Sequence, residues 1–377
     1  RDHAPITIGS HMDLRITYHV HGADERAAAA RAREIALEQT VELAADALSA
    51  DVVARIVGRV EAVEPLGDGR WSSVIAYDPA VVSGEMPQLL NLLFGNISLQ
   101  SGVVVASIEW PLELLASLGG PRHGIAGLRE LTGAPGRALL CTALKPLGVS
   151  ATQLAERAYR FSLAGIDLVK DDHSLSDQPP APFRERVQRC QDAVERANRE
   201  TGGNTLYFPN VTSGVTALLE RAAFAHRTGC RGCIVNALPA GLDALRAVAA
   251  TGLAVMSHPS LAGAFFRADH GIAPPVLLGD LFRVAGSDAV IYPNVEGRFT
   301  LSEATCAAIN ARLRAPLGSV RPSFPVPAGG IDVARVPHWL DRYGADTIFL
   351  VGGSLYAQPD LVAAARRLVE AVRARSR

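Results

Sequence analysis

From residue 138 onward the chain repeats one arrangement. A short apolar run ends in small or polar residues, and a stretch with apolar positions at helical spacing follows. The apolar runs fall at 138–146, 165–172, 205–213, 233–239, 253–259, 288–294, 323–330 and 347–353. Amphipathic segments at 151–164, 184–200, 215–227, 242–250, 302–315 and 359–375 separate or follow them. Eight strands alternating with helices predict a closed (β/α)8 TIM barrel over residues 126–377. No GxGxxG follows the first strand, which argues against an open dinucleotide-binding sheet.

Residues 13–125 follow a different pattern. The stretch 14–20 alternates as a strand does, and 23–48 is rich in Ala, Arg and Glu and predicts helix. Residues 53–64 and 71–77 predict a hairpin across Gly67-Asp68-Gly69, followed by a helix at 87–94 and a strand at 102–109. The fold class is therefore α/β, with an N-terminal ferredoxin-like α+β domain ahead of the barrel. The Gly/Pro-rich stretch 118–124 is expected to link the two. Residues 1–12 end in Gly9-Ser10-His11-Met12 and are expected to be a tag remnant outside the fold.

Composition narrows the function. A net charge of −1 gives no nucleic-acid footprint, and no apolar run approaches the ~20 residues of a membrane span. Five scattered cysteines fit a reducing, cytoplasmic setting, and Cys230-Arg-Gly-Cys233 lacks a second pair to complete a zinc site. Among 37 lysine and arginine residues only Lys145 and Lys170 are lysines. A lysine amine can lose its proton when buried, whereas a guanidinium cannot, so these two are candidates for base, Schiff-base or carbamate chemistry. Both sit at the polar end of an apolar run.

Catalytic groups of a (β/α)8 barrel gather at the C-terminal ends of its strands. Here the first strand ends in Lys145 and the second in Lys170, Asp172 and His173. The third ends near Asn210, the fifth at His258 and the sixth at Asn294, with Glu296 just beyond. The last two end in Gly329-Gly330 and Gly352-Gly353, and paired glycines there suit a phosphate. Alternation places Lys170 and Asp172 on one face of their strand. With His173 they could hold a metal, or could be an ion-paired strand end with none.

Read in order, these strand ends resemble the large subunit of ribulose bisphosphate carboxylase, and more closely the non-carboxylating RuBisCO-like proteins (form IV). The markers are Gly58-Arg59, Glu64-Pro65, Phe94-Gly95-Asn96, Gly120-Pro-Arg-His-Gly-Ile125, Lys145-Pro146, 165–173, Asn294-Val-Glu-Gly297, Ala328-Gly-Gly330 and Gly352-Gly353. The resemblance implies that Lys170 takes up CO2 as a carbamate and binds Mg2+ with Asp172. It makes Lys145 a proton carrier around an enediolate and sets His258 near the substrate. Asn96 and Glu38 would reach the site from a partner subunit, which implies a homodimer or a multiple of dimers.

The departures point away from CO2 fixation. His173 stands where the family has a glutamate ligand, which alters the Mg2+ site. Asn294 replaces the loop lysine that steadies the new carboxylate. Pro259 and Ile291 replace two residues that hold a second phosphate, so a monophosphate is expected. The chain is also one residue shorter just after Lys145-Pro146, where a second lysine is missing. Because the methionine-salvage enolases use a lysine outside the first strand, the expected reaction is decarboxylation or hydrolytic C–C cleavage of a 3-oxo-isoapionate 4-phosphate-like acid. The alternative is enolisation or isomerisation of a methylthio-sugar phosphate. A non-catalytic phosphometabolite-binding module is the reading from another class.

Overall fold

The computed structural model describes residues 13–267, 269–332 and 334–375. The expected tag remnant, residues 1–12, lies outside them. In chain order the strands are β1 (Leu14–His21), β2 (Arg59–Gly67), β3 (Arg70–Tyr77), β4 (Val103–Glu109), β5 (Leu139–Leu144), β6 (Leu168–Asp171), β7 (Leu206–Phe208), β8 (Gly232–Asn236), β9 (Ala254–His258), β10 (Gly271–Ile272), β11 (Ala289–Pro293), β12 (Phe324–Ala328) and β13 (Ile348–Leu350). They form two sheets in two compact units.

The first unit holds the described part of residues 1–119 together with Gly263–Val276 and Leu317–Ser319. Leu14, Ile16, Tyr18 and Val20 alternate inward along β1, as a half-covered antiparallel strand requires. The path strand–helix–strand–strand–helix–strand gives the order β4-β1-β3-β2, with β10 added parallel to β4. That is the ferredoxin-like arrangement. The helix Glu25–Glu38 starts at the Asp24 cap, whose Oδ1 accepts from the Ala27 N–H at 2.8 Å. It stops well short of residue 48. The Thr40 hydroxyl folds back on the Ala36 carbonyl (2.7 Å), and the amides of Val41 and Glu42 both close on Leu37. Residues 53–55, expected to be strand, end a short helix, Ala50–Arg55, capped by Ser49.

The second unit holds Gly120–Ala262, Leu277–Pro316 and the described part of residues 320–377. Its eight strands lie parallel in the order β7-β6-β5-β13-β12-β11-β9-β8. The ring closes where Ile234 of β8 bonds Pro209 and Val211 at the end of β7 (2.9 and 3.1 Å). The chain divides at 119/120, so residues 120–124, the larger part of the expected linker 118–124, belong to the barrel unit. Alternate strand residues fill the interior, among them Leu139, Cys141, Leu168, Phe208, Met256, Ile291 and Val326. Continuing that alternation upward brings Lys145, Lys170, Asp172 and His258 onto the inner face at the mouth.

The foot of the barrel is held by carboxylates. A Gly-x-Asp sequence precedes three strands, at Gly165–Asp167, Gly286–Asp288 and Gly344–Asp346, each glycine having positive φ. Asp167 takes two bonds from Arg137 (2.8 and 2.5 Å) and one from the Leu140 amide (2.9 Å). Asp288, fully buried, accepts from the amides of His123, Gly124 and Val255 at 2.6, 2.6 and 2.7 Å. Among the described residues no helix is long and apolar enough to cross a membrane.

Candidate active site

Lys145 follows β5, and its backbone is held from two sides. Its N–H donates to the Tyr356 hydroxyl (3.1 Å), which donates onward to the Ala143 carbonyl (2.9 Å). Arg157 donates to the Lys145 carbonyl. Tyr356 ends the short helix Gly353–Tyr356 after β13 and meets Phe161 edge-on. So anchored, the Lys145 side chain reaches across to β6, where its Nζ lies 2.8 Å from Asp172 Oδ2.

Asp172 also accepts from the Ser174 hydroxyl (3.2 Å), and His173 Nδ1 stands 3.3 Å from its other oxygen. Burial alone would raise this carboxyl. The bonds from His173 and Lys145 and the charges of Lys170 and Lys145 outweigh burial and hold it far below the usual carboxylate range. Lys170 is 1% exposed, and its Nζ donates to the Asp171 carbonyl at 3.1 Å. Burial lowers its proton affinity, and the Lys145 charge adds to that. Asp171 points the other way, into the barrel wall, where Arg186, Tyr207 and the Asn210 amide consume its oxygens. Adjacent aspartates thus have opposite fates through strand alternation alone.

The His173 ring lies flat on His258, centroids 4.3 Å apart and planes 3° apart. Burial first, then the Lys170, His173 and Lys145 charges, pushes His258 down to about 2. The main chain at His173 is clamped. Asn210 and Asn236 each donate to its carbonyl at 3.0 Å, and Asn210 also reaches Leu175 (2.8 Å). Asn236 was not among the expected site residues. Its signal was its place at the end of β8, on the inner-face parity.

The structure thus gathers Lys145, Lys170, Asp172, His173 and His258 at one mouth. Asn294 is placed differently from the expectation. It is buried, donates to the Gly329 carbonyl (3.1 Å) and accepts from Tyr343 (2.6 Å), so its amide ties the wall together. The two glycine pairs also differ. A Cβ on Gly330 would meet the Glu296 carbonyl at 2.1 Å and one on Gly329 would meet Gly297 at 3.1 Å, so the loop after β11 fills that side. Gly352 and Gly353 have nothing within 4 Å there. Glu38 and Asn96 form a pair of their own in the first unit, Asn96 donating to Glu38 at 2.9 Å. Buried Gln39 braces it, bonding Asn91, Leu92 and the Ile97 amide.

Residues 124–375 match the family of the ribulose bisphosphate carboxylase large chain, catalytic domain. The chain is 42% identical to a 5-methylthioribulose-1-phosphate isomerase of Rhodospirillum rubrum, covering 92% of each. It is 32% identical to a 2,3-diketo-5-methylthiopentyl-1-phosphate enolase of Geobacillus kaustophilus, over 91% of this chain and 87% of that one. The crystal structure of a Rubisco-like protein from Rhodopseudomonas palustris superposes with a TM-score of 0.87 at 40% identity, covering 96% of this chain and 97% of that one. With its barrel, ferredoxin-like domain and strand-end residues, the chain belongs to the ribulose bisphosphate carboxylase large-chain family, among its non-carboxylating RuBisCO-like (form IV) members.

Proposed function

We propose that this chain isomerises a phosphorylated methylthio sugar, with 5-methylthioribulose 1-phosphate as the first candidate, by enolisation next to its carbonyl. A proton leaves one carbon, an enediolate forms, and a proton returns at a different carbon, so no co-reactant is consumed. The observation that carries this reading is the Lys145–Asp172 contact of 2.8 Å at the mouth, beside buried Lys170 and half-buried His258. Lys145 keeps 39% of its side chain exposed and is the proton carrier. The relatives favour this reading over the decarboxylation expected from sequence. The missing third lysine counts only against a lysine base outside β5, not against proton transfer as such.

The family resemblance brings Mg2+ into the site. The Lys170 amine is buried and its proton affinity is lowered, which favours the neutral form that adds CO2. A carbamate there, with Asp172 and His173, fits a divalent cation through oxygen and one imidazole, a softer set than oxygen alone. When bound, such an ion would supply Lewis-acid polarisation of the substrate carbonyl. Gly352 and Gly353 take the phosphate, their open side being free. Glu38 and Asn96 complete the site of the partner subunit in a homodimer.

The test is NMR of the purified protein with 5-methylthioribulose 1-phosphate in D2O, with Mg2+ and bicarbonate. An isomeric phosphate should form, with its phosphorus retained and no CO2 released. Unchanged substrate without deuterium exchange would overturn the reading. Turnover of 3-oxo-isoapionate 4-phosphate with loss of CO2 in its place would restore the cleavage reaction.

A further inference from the structure

Two polar groups of Ser260 converge on one atom of His258. The Ser260 backbone N–H donates to His258 Nδ1 at 3.2 Å, and the Ser260 hydroxyl lies 2.7 Å from the same nitrogen. A backbone N–H can only donate, so Nδ1 must present its lone pair, and the ring proton sits on Nε2. Pro259 stands between the two residues. Its ring fixes φ and holds the short return that aims Ser260 back at the imidazole. The flat stack on His173 fixes the plane of the ring. Among the described residues Nε2 has no hydrogen-bond partner. The parity of β9 places His258 on the inner face, two residues beyond Met256 of the core.

We propose that His258 serves the enolisation as a hydrogen-bond donor, presenting Nε2–H to the substrate oxygen that becomes negative, and that Ser260 is the positioning residue that holds it in this tautomer. The inference rests on the proposed isomerisation. A base must turn its lone pair towards the substrate, and here the lone pair is turned into the β9 loop. A fixed N–H at the growing oxyanion needs no reorganisation during the reaction, which is how such donors accelerate enolate formation. No proton leaves the ring over the cycle, so the shuttle between carbons falls to another group. That division matches Lys145, whose half-exposed side chain carries its amine at the mouth beside Asp172.

The tautomer is read by long-range 1H–15N correlation on the full chain labelled at histidine, at about pH 7. The His258 resonances are assigned by their loss in His258→Gln. A single pattern with Nε2 protonated and Nδ1 bare is expected. A protonated Nδ1, or an even mixture, would overturn the assignment, and this measurement needs no substrate. It therefore separates a failure here from a failure of the proposed reaction. Turnover supplies the second arm. His258→Gln keeps a side-chain N–H and should retain kcat within about 30-fold, whereas His258→Leu should lose about 10²–10³-fold with little change in KM. Equal losses in the two variants would mark His258 as a base and sink the proposal. Ser260→Ala, which keeps the backbone donor, should lower kcat about 3–10-fold and shift the His258 15N pattern towards a mixture. An unchanged pattern and rate would remove Ser260 from the positioning role.

Discussion

The foot and the mouth of the barrel use the same side chain in opposite ways. At the foot, Asp288 spends its oxygens on three main-chain amides, and Asp167 spends its oxygens on one amide and a bidentate arginine. At the mouth, Asp172 is met by Lys145, His173 and Ser174, all through side chains. Main-chain donors cannot leave without unfolding the loop that carries them. Side-chain donors can rotate away and be replaced by substrate or cation. Carboxylates of equal charge therefore act as rivets at one end and as exchangeable contacts at the other, and the donor type decides which.

Substitutions at the two ends should separate activity from stability. Lys145→Met should lower kcat by about 10³-fold while changing the unfolding free energy by about 1 kcal/mol or less. Steady-state kinetics and urea unfolding read the two, and a stability loss as large as the rate loss would erase the distinction. Asp288→Ala strands three buried amides and should cost about 3–5 kcal/mol in urea unfolding, with kcat of the folded fraction within about twofold of the parent. Gly330→Ala tests the mouth where it is packed. With φ at +70° and the Glu296 carbonyl in the way, it should cost about 1–3 kcal/mol and raise KM as the loop after β11 shifts. Tyr356→Phe removes only the hydroxyl bridging Lys145 and Ala143. It should lower kcat about 3–10-fold and stability by about 1 kcal/mol, with KM unchanged.

The barrel was legible because each strand is an apolar run closed by a polar end, and the same alternation carried Lys145, Lys170, Asp172 and His258 to the mouth. It also gave a warning about Asn294. Tyr292, two residues earlier, faces outward to Asn310 (2.7 Å), so the parity of β11 sets Asn294 off the inner face. The first unit was harder because the Ala/Arg/Glu-rich composition of 23–48 reads as helix throughout, whereas the break comes from Gln39 turning inward to Asn91 and Leu92. That is a contact across more than fifty residues, with no local sequence mark. The Gly-x-Asp rivets were not legible: the same triplet stands at Gly241–Asp243 and Gly330–Asp332, where no strand follows directly, and nothing in it names the amides that a carboxylate receives.

The clamp on His173 bears on how this lineage could change. Asn210 and Asn236 hold the main chain at position 173 by its carbonyl, independently of whichever side chain grows from it. That side chain is an interchangeable fitting on a fixed mount. Glutamate could be placed there without rebuilding the barrel, so the side chain at this corner can change faster than the architecture that presents it.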